Sequence, residues 1–388
     1  MADERSAGRE LLTIEQYTTL SAKINYQLSS VSLNKPALLA LVLGPTELDE
    51  RERDVLLATF DVLLAGDQQD RRRLGTPGLL HPLRAAAIIA RSLPRPTLLH
   101  MLAALLHDKD EDLSEEELGA HRWALMQKEY GKLLELLEDD EGERVERSIQ
   151  LLSNRGFATY QDYLGRILHE ARQLPELLHV KLADRIDNTF DINLQHPGVT
   201  RYNFYRAVFD ILFMPSFRGV QMGSFHFMPD TDEGVMLLSQ LFKDTFFLAL
   251  LRSSGLDASD ELTRRLFVGL AVAGIREAQW LALEMFNTCL DDVERQRALL
   301  MSVMQYCHTG GAGAVTSKEA GGELDGMLLA SYTAARQGLH KQMLTRLFQD
   351  RDLLAKMVLA FIVVFASFIN DPSFRIEGID LKGVEAVG

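Results

Sequence analysis

Apolar residues recur at helical spacing along almost the whole chain, and runs of β-branched residues suited to strands are few. The pattern predicts an all-α fold, a helical bundle followed by further helices. Residues 1–45 read as one or two helices stopped by Gly44-Pro45. Residues 46–66 form an amphipathic helix with an acidic first turn and a glycine at its end. A polar loop with Arg71, Arg72 and Arg73 then runs through Gly75-Thr76-Pro77 to His81. Helices are expected at about 82–92, 96–108, 114–137, from 138 onward, and at 158–172, 175–192 and 199–213. Pro215, Gly219, Gly223 and Pro229 crowd the next stretch, which marks a domain boundary. The chain is thus divided into an N-terminal helical extension (1–45), a central domain (46–220) and a helical C-terminal domain (221–388) whose role stays open. The last is interrupted by a glycine-rich run at 310–323, and no repeat at solenoid period is present.

Composition narrows the classes. The 388 residues are 47% hydrophobic and 25% charged, enough apolar material for a sizeable core. The formal net charge of -14 disfavours nucleic acid and anionic membranes as partners, so an anionic substrate needs local cations or a metal. Two cysteines, Cys289 and Cys307, provide neither a disulfide framework nor a cysteine-rich zinc site. With a polar N-terminus lacking a signal-peptide core, this points to a cytoplasmic protein. The most apolar run, 357–369, is short for a membrane span and reads as a core helix.

Three segments carry candidate chemistry. His107-Asp108 closes an apolar helix, and Glu111 and Asp112 follow four residues later. If that helix continues, these four groups share one face. So many acids in one patch repel unless a cation sits among them. His81 precedes Pro82 at a helix start, and Asp184 lies in an otherwise apolar helix. A carboxylate there costs several kcal/mol if buried unpaired, so it needs a partner, either Arg185 or a metal. Two imidazoles and two carboxylates suit Mn²⁺, Fe²⁺ or Zn²⁺.

The order His…His-Asp…Asp resembles the HD superfamily signature, and the local sequences resemble the hydrolase domain of Rel/Spo proteins and small alarmone hydrolases. The segments are Arg72-Arg73-Leu74-Gly75-Thr76-Pro77-Gly78-Leu79-Leu80-His81-Pro82, then His107-Asp108-Lys109-Asp110-Glu111-Asp112, then Lys181-Leu182-Ala183-Asp184-Arg185-Ile186-Asp187-Asn188. The likeness covers about residues 46–215. It implies an HD phosphohydrolase domain whose metal ligands are His81, His107, Asp108 and Asp184, usually for Mn²⁺, with another divalent metal as the alternative. It implies that Glu111 and Asp112 activate the attacking water, and that Arg72, Arg73, Lys181 and Asn188 contact a nucleotide. The activity implied is removal of the 3′-pyrophosphate of guanosine tetra- or pentaphosphate. The alternatives are an NADPH 2′-phosphatase, another nucleotide phosphohydrolase, or a non-catalytic nucleotide-binding module. Possible partners include a second copy of the chain and, in an antitoxin role, an alarmone-making toxin.

Departures from the pattern bear on the substrate. Gly78 replaces an aromatic residue, and Lys109-Asp110 replaces an apolar pair. Asp187 is expected to add negative charge on the nucleotide side, and Thr189-Phe190-Asp191 lacks the usual arginine. Both changes should weaken binding of a highly charged tetraphosphate. Elsewhere, Gly310-Gly311-Ala312-Gly313 lacks the order of a phosphate loop and reads as a flexible loop. Cys307-His308 reads as a structural pair, and His100 as packed rather than ligating.

Overall fold

The computed structural model describes residues 13–30, 32–66, 78–93, 96–157, 160–194, 237–309, 311–315, 321–328 and 349–376, and the pieces 379–380 and 383–384. The helix expected at 199–213, the boundary placed at 220, and Arg72 and Arg73 lie outside the described residues.

The fold is all-α. Its strands among the described residues are the two-residue pair β1 (Ile379–Asp380) and β2 (Gly383–Val384), joined antiparallel. Two compact units are bounded as Met1–Gln195 with Asp257–Leu270, and His196–Leu256 with Ala271–Gly388. Residues 257–270 thus join the first unit rather than the second, which a single boundary along the chain does not anticipate.

In the first unit, α1 (Ile14–Leu28) begins at a capping box between Thr13 and Gln16. Asn34 caps α2 (Lys35–Leu43), which stops at Gly44, φ 61°. Arg91 donates to the carbonyls of Leu41 and Val42, satisfying groups left over at the end of α2. α3 (Glu50–Gly66) lies along α7 (Glu115–Glu135). The centre is α4 (Leu80–Ser92), which packs against α2, α5 (Leu98–Leu106) and α10 (Pro175–Leu194). Ala85, Ala86, Ala87 and Ala90 on α4 are fully buried, and these small side chains let neighbouring backbones approach closely. α6 (Lys109–Asp112), α8 (Asp139–Leu152) and α9 (Tyr160–Glu170) complete the unit with the start of α12 (Glu261–Cys289).

The second unit holds α11 (Leu237–Ser254), the rest of α12, α13 (Val293–Thr309) and α15 (Arg351–Asn370). A single turn, α14 (Ala312–Val315), lies within the run expected to be a loop, anchored by buried Ala312 and Val315. Glu261–Asn287 and Arg351–Asn370 are long and apolar enough to cross a membrane. Their apolar stretches are 56% and 72% buried within the protein, as core helices are. Met357, Val358, Phe361 and Phe365 of α15 are all essentially inaccessible.

Candidate metal centre

Three helices bring the four expected ligands together. His81 sits in the first turn of α4, His107 and Asp108 follow the end of α5, and Asp184 is midway along α10. His81, His107 and Asp184 are buried, while the Asp108 side chain keeps 28% exposure. His81 Nε2 lies 3.1 Å from His107 Nε2, 3.3 Å from Asp108 Oδ2 and 3.2 Å from Asp184 Oδ1. His107 Nε2 lies 3.2 Å from Asp108 Oδ1 and 3.9 Å from Asp184 Oδ1. Donor atoms of His81, His107 and Asp108 all fall within 4.8 Å of one another.

The ring protons follow from the partners. His107 Nδ1 is 2.8 Å from the Ala104 carbonyl, which can only accept, so Nδ1–H donates and Nε2 carries a lone pair. His81 Nδ1 is 2.6 Å from Asp187 Oδ2, so this nitrogen carries a proton and, in the neutral ring, Nε2 carries the lone pair. The Nε2 atoms of both rings and an Asp108 oxygen gather in one cluster, with Asp184 Oδ1 3.2 Å from His81 Nε2. A shared cation resolves the conflict among these acceptors, so this donor set fits a divalent metal. Without one, the same conflict appears as shifted protonation. Burial opposes charge on His107, yet Asp108 and Asp184 raise its pKa. Burial likewise opposes an ionised Asp108, but His107 and His81 hold it well below the usual carboxylate range. Asp184 is held equally low, against burial, by Lys181 and the two histidines.

The helix carrying His107 ends close to the expected 108 and does not continue through Glu111. The chain turns at Asp108 (φ -93°, ψ 5°), and α6 is a separate single turn. That conformation lies in the sparsely populated bridge region and directs the carboxylate back to the histidines. Glu111 is half-buried, and its carboxylate accepts from Asn154, by the backbone N–H at 2.6 Å and by Nδ2 at 3.1 Å. Burial raises its pKa, with Asp108 and Asp112 adding to the rise, against the Asn154 N–H and Lys181. Asp112 is exposed.

Lys181 and Asn188 both reach Asp184. Lys181 Nζ lies 2.7 Å from Oδ2, and Asn188 Nδ2 lies 2.5 Å from Oδ1. The Lys181 ammonium also lies 5.1 Å from the centre of the Tyr163 ring. Thus Asp184 is partnered by Lys181, Asn188 and His81. Asp187 is also placed differently from expectation. It is fully buried and faces Arg84 and His81, because Arg84 draws it into the core between α4 and α10. It adds no charge to a nucleotide-facing surface.

Residue patterns did not single out Asn154, Arg155, Arg84 or Tyr17. Arg155 Nη2 donates to the Glu111 carbonyl at 2.8 Å and so ties α6 to the loop after α8. Arg84, a charge at the head of the apolar run 85–90 of α4, was a usable signal for a buried ion pair. A cavity of about 700 Å³ opens at the other end of α5, lined by Glu47, Glu52, Thr97, Leu102, Arg144 and Glu176 among others, none of them a candidate ligand.

No family model matches the chain, and no curated protein or solved structure matches it either.

Proposed function

We propose that the chain is a metal-dependent phosphohydrolase acting on a nucleotide phosphorylated at a ribose hydroxyl, with guanosine tetra- or pentaphosphate as the leading substrate. One observation carries this reading: donors of His81, His107 and Asp108 lie within 4.8 Å of one another, with Asp184 Oδ1 3.2 Å from His81 Nε2 and a half-buried Glu111 of raised pKa nearby. The three segments that resemble the alarmone hydrolases support the same class. Mn²⁺ or another divalent ion held there supplies positive charge to a phosphate oxygen and lowers the pKa of a water. Glu111 then takes a proton from the attacking water, a role that suits a carboxylate with raised basicity. Water oxygen bonds to phosphorus, the phosphorus–ribose oxygen bond breaks, and the ribose oxygen leaves with a proton. Lys181 and Asn188 hold Asp184 in place during this exchange. The burial of the long apolar helices fits a cytoplasmic enzyme.

A second reading is a nucleotide-binding module without turnover. The two hydrogen bonds from Asn154 to Glu111 favour it, since they occupy the proposed base. The two separate in a nucleotide panel with added Mn²⁺, comparing wild type with Asp108→Ala and Glu111→Gln. Phosphate or pyrophosphate release by wild type, lost in Asp108→Ala and reduced ~100-fold or more in Glu111→Gln, is expected for the hydrolase. Nucleotide binding without release supports the module. Release surviving both substitutions overturns the assignment of the site.

A further inference from the structure

Behind His81 lies a polar network built on Asp187, and the inference drawn from it rests on the metal reading of the site. Asp187 is fully buried and accepts from three groups. Its Oδ2 faces His81 Nδ1 at 2.6 Å and Arg84 Nη2 at 3.1 Å. Its Oδ1 accepts from Arg84 Nε at 2.8 Å and from the Tyr17 hydroxyl at 2.7 Å. Arg84 Nη1 continues to Asp191 Oδ1 at 2.8 Å and to Ser21 Oγ at 3.1 Å. Tyr17 and Ser21 belong to α1, so three helices meet at one guanidinium. The Tyr17 ring packs on Phe190 at 4.9 Å, and Arg84 lies 5.4 Å from its centre.

We propose that Asp187, braced by Arg84 and by Tyr17 of α1, is a positioning residue that keeps the His81 proton on Nδ1 and so presents Nε2 as a metal donor. An imidazole can carry its proton on either nitrogen, and only the Nδ1–H form leaves Nε2 free to ligate. A buried carboxylate acceptor selects that form, fixes the ring plane and increases the basicity of the ligating nitrogen. Arg84 carries one positive charge against the two carboxylates Asp187 and Asp191. The Asp187 carboxylate is the one in contact with the His81 N–H, where its charge strengthens the donor, while Asp191 meets Nη1 of the guanidinium. Through the Tyr17 hydroxyl, the N-terminal helix then sets how tightly the centre holds its cation.

The test is Mn²⁺ affinity of the full chain, measured by electron paramagnetic resonance, for wild type, Asp187→Asn, Tyr17→Phe and Asp191→Asn. Ring ¹⁵N shifts of His81 in the metal-free chain give the tautomer. Asp187→Asn is expected to weaken binding by ~10- to 100-fold. Tyr17→Phe, which keeps the packed ring, is expected to lose affinity in the same direction but less. Asp191→Asn leaves the His81 contact in place and should bind close to wild type. If Asp187→Asn does not fold, Tyr17→Phe and the tautomer carry the test. A His81 proton on Nε2, unchanged affinity in Asp187→Asn and Tyr17→Phe, or an equal loss in Asp191→Asn overturns the proposal. Wild type taking up no Mn²⁺ would instead overturn the metal reading, and the brace would fall with it.

Discussion

His100 and His179 stack in the first unit with ring centres 5.2 Å apart, and their hydrogen bonds run in one direction. The Thr97 hydroxyl faces His100 Nδ1 at 2.7 Å, and His100 Nε2 faces His179 Nδ1 at 3.0 Å. His179 Nε2 then meets Asp260 Oδ2 at 3.2 Å and Thr263 Oγ1 at 3.0 Å. Each ring donates once and accepts once, so both are neutral. Burial pushes the His100 pKa down to about 4, with His179 adding to the fall and Arg144 contributing, against Asp260. An unfolded histidine titrates near ~6.5, so between these values the unfolded chain binds more protons. Stability from this group is complete above the unfolded value and is lost as pH falls towards the folded one. Between pH ~7.5 and ~5 the loss is about 2 kcal/mol. Urea melts of wild type and His100→Gln at those two pH values should show the smaller pH dependence in the variant. Equal dependence contradicts the neutral assignment. At this scale the gathering of His81, His107 and Asp108 was legible because the pattern that singled them out is one of fixed residue types at fixed spacing. His100 was legible only as packed, since its partner His179 is 79 positions away.

Helices were the most legible elements, because burying one face imposes a repeat that the apolar residues must follow. The expected 175–192 and 114–137 correspond closely to α10 and α7. The end of α5 was legible, but the turn at Asp108 that aims its carboxylate was not, since Asp108 leaves the helix to serve a tertiary contact rather than a local preference. α7 shows a comparable local exception. Gly119 adopts φ 73° and ψ 156° inside the helix, a region essentially reserved for glycine, with nothing within 4 Å of an added Cβ. The cost of a side chain is therefore conformational and not steric crowding. Gly119→Ala should destabilise the chain by ~1–3 kcal/mol, read from urea unfolding. A neutral or stabilising effect would show that α7 runs straight through this position. The pairing of α4 with α10 has a sequence signature visible only afterwards: Asp184, Asp187 and Asp191 recur at one-turn spacing and share a face. Of these, Asp184 turns to the histidines while Asp187 and Asp191 clasp Arg84.

For the whole molecule, helical periodicity bounded the fold class, while the division into units did not follow the order of the chain. Residues 257–270 return to the first unit, where Asp260 and Thr263 complete the His100–His179 chain and Arg265 donates to the Ser92 carbonyl at 2.8 Å. Such a return depends on pairing between distant residues, which no local pattern records. On the proposed function, the net charge of -14 would repel a phosphorylated substrate at long range, and a metal at the site would supply the local positive charge that overcomes it. The central claim is that four side chains hold one divalent ion, and equilibrium dialysis against Mn²⁺ with elemental analysis tests it most directly. The account predicts one Mn²⁺ per wild-type chain, removable by chelator, and none in the folded Asp108→Ala/Asp184→Ala double variant. A wild-type chain that retains no Mn²⁺, or a double variant that retains it fully, would contradict the account.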